Sequence, residues 1–219
     1  MRQLEVYDMN QSEFIREAIS GATIRPVVVA SVINDELLSA IGKLTAELAT
    51  LPDKIEKLLE HKERIQWFAS KRANMEHAFF IGRGLDYAAG LEGSLKMKEI
   101  SYIHSEAYPA GELKHGTISL IEEDTLVVGL LTQQALYEKT LSNLLECKSR
   151  GAYLMALTME GNYSIEDSAD FVIYIPKTDS HFAPSLAVIP LQLLGYYLSV
   201  SKGLDVDKPR NLAKSVTVE

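Results

Sequence analysis

Cysteine is nearly missing from this chain: Cys147 is the only one in 219 residues. A single thiol excludes an internal disulfide and any cysteine-based metal cluster. Long apolar runs are also lacking. The most continuous, Val27 to Ile33, follows Pro26 and is far shorter than the ~20 residues a membrane span needs. No membrane partner is expected. The first residues do not follow the basic-then-apolar order of a secretory signal, so a cytoplasmic chain is the expectation. Positive charge is short, with 22 Lys and Arg against 30 Asp and Glu and a net charge of -8. That balance argues against nucleic acid, whose phosphates require a basic face. No pair among His61, His77, His104, His115 and His181 has metal-ligand spacing. Neither a metal nor an organic cofactor is expected.

What is present is an apolar fraction of 47%, enough for a packed core. Four textures follow one another. Residues 1–33 hold a short amphipathic stretch (Phe14, Ile15, Ala18, Ile19) closed by Gly21, then a β-branched run after Pro26; this segment is left unassigned. Residues 34–75 read as a helical connector. Leu37, Leu38, Ile41, Leu44, Leu48 and Leu51 recur at three- and four-residue steps on one face, which points to packing or subunit contact. Pro52 is placed to open a second helix, and Ile65, Trp67 and Phe68 mark a further stretch.

Over residues 76–204 strands and helices alternate. Ala78 to Ile81, Thr125 to Leu131, Tyr153 to Leu157 and Phe171 to Ile175 read as strands. Helices are expected around Leu91, Leu95 and Ile100, from Leu136 to Leu145, and from Pro184 to Val200. Continuous apolar strands separated by helices imply an α/β fold: a three-layer αβα sandwich with a mostly parallel sheet, preceded by helices. Ligands in such sheets sit beyond the carboxyl ends of the strands, which directs attention to the loops after Ile81, Ala107, Leu131 and Leu157. Residues 205–219 form a polar tail with no sustained period, which composition alone reads as irregular.

Three stretches carry a resemblance. They are GRGLDYAAGLEGSLKMKEISYIHSEAYPAGELKHG (Gly82 to Gly116), IPLQLLGYYLSVSKGLDVDKPRN (Ile189 to Asn211) and LAKSVTVE (Leu212 to Glu219). Together they closely resemble the second sugar-isomerase (SIS) domain of the glucosamine-6-phosphate synthase family. The resemblance runs from the leucine-striped helices to the last residue and leaves out residues 1–33. It implies a synthase with a glutaminase and two SIS domains, making glucosamine 6-phosphate from fructose 6-phosphate and glutamine nitrogen. This chain then corresponds to a part of such a synthase, without the glutaminase and first SIS domain. The family's glutaminase uses an amino-terminal cysteine; here residue 1 is Met1, and Cys147 lies in a helix pattern as a packed thiol.

Moving a proton between C1 and C2 of the sugar calls for a carboxylate whose pKa is raised by partial burial. The resemblance assigns that role to Glu99. Lys96, three residues earlier on the same helical face, can hold a developing enolate-like oxygen, and Glu92 is spaced to pair with Lys96. From spacing alone an ordinary surface pair is the better reading, and the resemblance reverses that weighting. Free imidazole titrates near neutrality, and the resemblance gives His115 the role of ring opening, donated across a homodimer. It also implies that the tail folds over the sugar, with Lys214 at the reacting end and Arg210 and Ala213 contacting substrate. The loop after Ile81 offers no Ser or Thr for a phosphate cradle, and Asp86 is expected to repel a phosphate there. Weak sugar-phosphate binding by the chain alone follows. Two other readings compete: a non-catalytic SIS module that binds a sugar phosphate or mediates dimerisation, and an SIS deglycase. The first would have little need for Glu99, His115 and Lys214, and the LAKSVTVE ending argues against the second.

Overall fold

The computed structural model describes residues 32–211, with side chains from Asn34. The amphipathic stretch near Phe14, most of the β-branched run, Ala213 and Lys214 lie outside the described residues. The chain divides into two compact units, residues 1–43 and 44–219. Helix α1 (Val32–Ala49) runs across that division. Val32 and Ile33, which end the β-branched run, are its first residues. In the first unit Leu37, Leu38 and Ile41 are all more than half exposed, so this part of the leucine stripe is not core.

In the second unit α1 ends at Ala49 and α2 (Leu51–Glu60) begins at once, with Pro52 and Asp53 in its first turn. Both suit a helix start, where a missing N–H costs nothing and a negative charge meets the helix dipole. Glu47 ties this corner together: its carboxylate accepts from Lys54, from the Thr178 hydroxyl at 2.6 Å and from the Asp179 N–H at 3.1 Å. Helix α3 (Lys62–Lys71) buries Ile65, Phe68 and Ala69, and Phe68 stacks on Phe171 with centroids 4.4 Å apart.

The sheet is β1 (His77–Gly82), β2 (His104–Pro109), β3 (Leu126–Leu131), β4 (Tyr153–Met159) and β5 (Phe171–Ile175). Its order is β2-β1-β3-β4-β5 and every pairing is parallel. Strand residues alternate between faces, so neighbours in sequence serve different cores. Phe80, Val128, Leu130, Met155, Leu157 and Ile173 pack on one face with α4 (Leu85–Lys96) and α6 (Ala183–Ser201). Phe79, Ile81, Val127, Leu131, Leu154 and Val172 pack on the other with Leu144 and Cys147 of α5 (Tyr137–Lys148). This is the three-layer αβα sandwich with a parallel sheet.

Helix α6 is long and apolar enough, at 19 residues, to meet a length-and-composition test for a membrane span. This corrects the expectation that no apolar stretch approaches that length. Here it is a core helix, burying Leu186, Leu191, Leu194 and Leu198 among others. Its apolarity follows from contact with the sheet face, α3 and α4 together.

Candidate active site

Two of the expected site residues, Lys96 and Glu99, sit where α4 changes pitch. After Lys96 the helix widens into a π-helical turn, Met97–Ser101. Such single turns often mark functional positions, because they push side chains out of the regular α-helical spacing. Two hydroxyls hold the turn: Ser101 donates to the Met97 carbonyl at 2.6 Å, and Ser199 of α6 donates to the Ile100 carbonyl at 2.5 Å.

On this turn the Lys96 ammonium donates to Glu99 Oε2 at 2.6 Å and lies 3.8 Å from Glu92 Oε1. The three side chains are 28–33% exposed, so the cluster is partly desolvated but open to a ligand. Glu99, with further help from Glu92, raises the Lys96 pKa above its ordinary value, and Lys96 stays cationic through the neutral range. Glu99 opens into a cleft of about 430 Å³ that it shares with Lys98, Tyr102, Ile103, His104, Arg210 and Asn211. Glu99 and Arg210, more than 100 residues apart in sequence, thus line one space. A more enclosed and mainly apolar cavity of about 250 Å³ lies elsewhere, among Leu58, Ile65, Ile173, Tyr174 and Leu193, and none of the expected site residues reaches it.

The Glu99 cleft includes Ile103 and His104, and therefore lies at the amino end of β2, whereas the loops singled out from the sequence follow the strands' carboxyl ends. The reason is topological: α4 starts at the carboxyl end of β1 and returns the chain to the other edge before the π turn. Asp86, expected to repel a phosphate, is 1% exposed. Its carboxylate accepts from the Thr132 hydroxyl and from the backbone N–H groups of Thr132 and Gln133, at 2.9 and 3.1 Å. It serves as a bracket between α4 and the loop after β3. Burial raises its pKa despite those donors.

His115 ends a short 3-10 turn, Leu113–His115, after the carboxyl end of β2, and is exposed. Glu99 precedes the amino end of the same strand. A six-residue strand is ~20 Å long, so one chain does not bring His115 and Glu99 together. Arg210 does reach the cleft. Tyr102, His104 and Asn211 also line it, and sequence reasoning passed them over. The only available signal was that all three lie inside the resembling stretches.

Cys147 is fully buried on the inner face of α5, and burial pushes its thiol up to about 11. It is therefore protonated, and a poor nucleophile, at neutral pH. Among the described residues no cluster of His, Cys, Asp and Glu could hold a metal ion.

The parallel αβα sandwich places the chain among α/β domains with a covered sheet, and residues 73–202 match the SIS domain family, to which this chain belongs. More particularly, it is 61% identical over 179 residues to the isomerising glutamine–fructose-6-phosphate aminotransferase of Caldanaerobacter subterraneus subsp. tengcongensis. That match covers 82% of this chain and 29% of the relative. The same enzyme of Clostridium tetani is 59% identical over 179 residues, with the same coverage. Among solved structures, the C-terminal domain of the glucosamine-fructose-6-phosphate aminotransferase of Francisella tularensis matches with a TM-score of 0.72 and 38% identity, over 78% of this chain and 49% of that one. The chain thus spans less than a third of the length of the curated relatives it matches.

Proposed function

We propose that this chain supplies the sugar-isomerising residues of an enzyme that makes glucosamine 6-phosphate from fructose 6-phosphate and glutamine nitrogen. The observation that carries the reading is the Lys96–Glu99 pair at 2.6 Å on a π turn, facing a cleft lined by Arg210. Glu99 removes the proton from C1 of the open-chain sugar and returns it to C2, converting ketose to aldose. Lys96 stands beside the negative charge that develops on the sugar in between, where a preplaced cation is most effective. His115 opens the ring, and Arg210, Ala213 and Lys214 contact the substrate. Because His115 and Glu99 sit at opposite ends of β2, the complete site is built by a homodimer, with His115 entering from the second subunit. The partner is a sugar phosphate, a metabolite of the cell interior, and the reading places the chain in the cytoplasm. The excess of acidic groups speaks against a nucleic-acid partner.

The test is turnover of fructose 6-phosphate to glucose 6-phosphate by the chain, with Glu99→Gln as its matched variant. Glu99→Gln is expected to lower kcat by at least ~100-fold, the scale of a lost general base, with the fold unchanged by circular dichroism. Turnover that survives the substitution overturns the mechanism. Absence of turnover together with absence of glucosamine 6-phosphate binding would instead favour a structural SIS module.

A further inference from the structure

Tyr102 joins the two halves of the Glu99 cleft. It follows the π turn directly and adopts the left-handed conformation, with φ 57° and ψ 21°. That conformation is unusual for an aromatic residue and costs ~1–2 kcal/mol, so it persists only where surrounding contacts repay it. The contacts are with a segment 108 residues away. The Arg210 N–H donates to Tyr102 Oη at 2.7 Å, and the Arg210 guanidinium lies over the Tyr102 ring, 4.1 Å from its centroid. The chain is turned towards this point by Asp205, whose carboxylate accepts the N–H groups of Asp207 and Lys208 at 3.0 and 3.2 Å. A single side chain therefore uses its ring to hold a charge and its hydroxyl to hold a backbone. Phenylalanine could do only the first.

We propose that Tyr102 is a positioning residue for the isomerisation. It fastens Arg210 to the turn that carries Glu99, so that base and guanidinium share one frame. The inference rests on the reading of Glu99 and Arg210 given above. Tyr102 touches neither proton in flight nor sugar in this account. It acts through Arg210.

The experiment compares the 219-residue chain with Tyr102→Phe and with Tyr196→Phe, a control tyrosine exposed on α6. Hydrogen exchange of the peptide covering 205–211 is followed by mass spectrometry. Tyr102→Phe is expected to speed exchange there by roughly three- to tenfold, the scale of one lost hydrogen bond, with the urea midpoint of the chain unmoved. Exchange equal to that of the unmodified chain overturns the tether. In turnover of fructose 6-phosphate, Tyr102→Phe is expected to lower kcat without moving the pH midpoint. Combined with Arg210→Ala it should add nothing, since the guanidinium that Tyr102 positions is then absent. Additive losses, or a shifted pH midpoint, would mean that Tyr102 acts on Glu99 directly and overturn the proposal. If the unmodified chain shows no turnover, the functional reading fails and takes the isomerisation role with it, while exchange still decides whether the tether exists.

Discussion

Asp86 shows how far a single residue's meaning depends on its surroundings. In the sequence it is an acid beside a glycine-rich loop, and repulsion of phosphate is the natural inference. In the fold its two oxygens take three donors from the loop after β3. Asp86→Ala would strand those donors in a buried place and is expected to lower the stability of the chain by ~3 kcal/mol in urea titration. Asp86→Asn keeps one oxygen for the two N–H groups and an amide that the Thr132 hydroxyl can accept from, so a loss within ~1 kcal/mol is expected. The pH dependence has a definite sign. Burial raises the folded pKa, so Asp86 contributes stability that is fully present below the ordinary aspartate pKa and is lost as pH rises through the folded value. Asp86→Asn removes that slope. An unchanged fall of stability with rising pH in Asp86→Asn would show that other groups set it.

At the scale of elements, the strands with continuous apolar runs were legible because both of their faces are buried. β2 was not read as a strand, although the loop after Ala107 was singled out. It is the edge strand, and His104, Glu106 and Tyr108 give it a polar texture with only Ser105 fully covered. The π turn was likewise hidden. Nothing in MKEIS distinguishes five residues of π pitch from a regular α turn; the hydroxyls of Ser101 and Ser199 decide it, and Ser199 is about 100 residues away. Close packing between elements yields a sharper prediction. Gly129 lies in β3 directly under Leu144 of α5, and a Cβ at 129 would come within 2.4–2.9 Å of the Leu144 side chain. Leu144 is itself buried and has little room to move. Gly129→Ala is expected to cost ~1–3 kcal/mol by overpacking, and Leu144→Ala in the same chain should recover part of that loss. Thermal unfolding of the two single variants and the double variant checks it. Purely additive losses would mean that the strain is released elsewhere.

At the scale of the whole molecule, the placement of His115 and Glu99 at opposite ends of β2 leads to a complementation test. Chains carrying Glu99→Gln and His115→Ala, each inactive alone, are refolded together in equal amounts. For the proposed homodimer, random pairing gives half mixed dimers, and each mixed dimer would have one site with both native groups, so about a quarter of wild-type turnover is expected. No recovery would show that each chain builds its own site or that His115 is not used.

The sequence by itself determined the class of fold, because runs of Val, Leu and Ile separated by helical periods have few stable solutions besides a covered parallel sheet. It also determined the family, through blocks long enough to exclude coincidence, and with it the candidacy of Glu99, Lys96, His115 and Arg210. Only the tertiary structure decided which of those residues meet. Glu99, paired with Lys96, shares a cleft with Arg210 at the amino edge of β2 because α4 runs back across the sheet before it ends, and His115 lies at the other end. Asp86 is a bracket because the loop after β3 closes over it. Tyr102 joins the Glu99 turn to Arg210 because a left-handed residue at the end of the π turn faces a chain that returns 108 residues later. Local pattern reports which surface an element will bury. Contacts between distant segments depend on how the elements turn and stack, and no short window of sequence contains them.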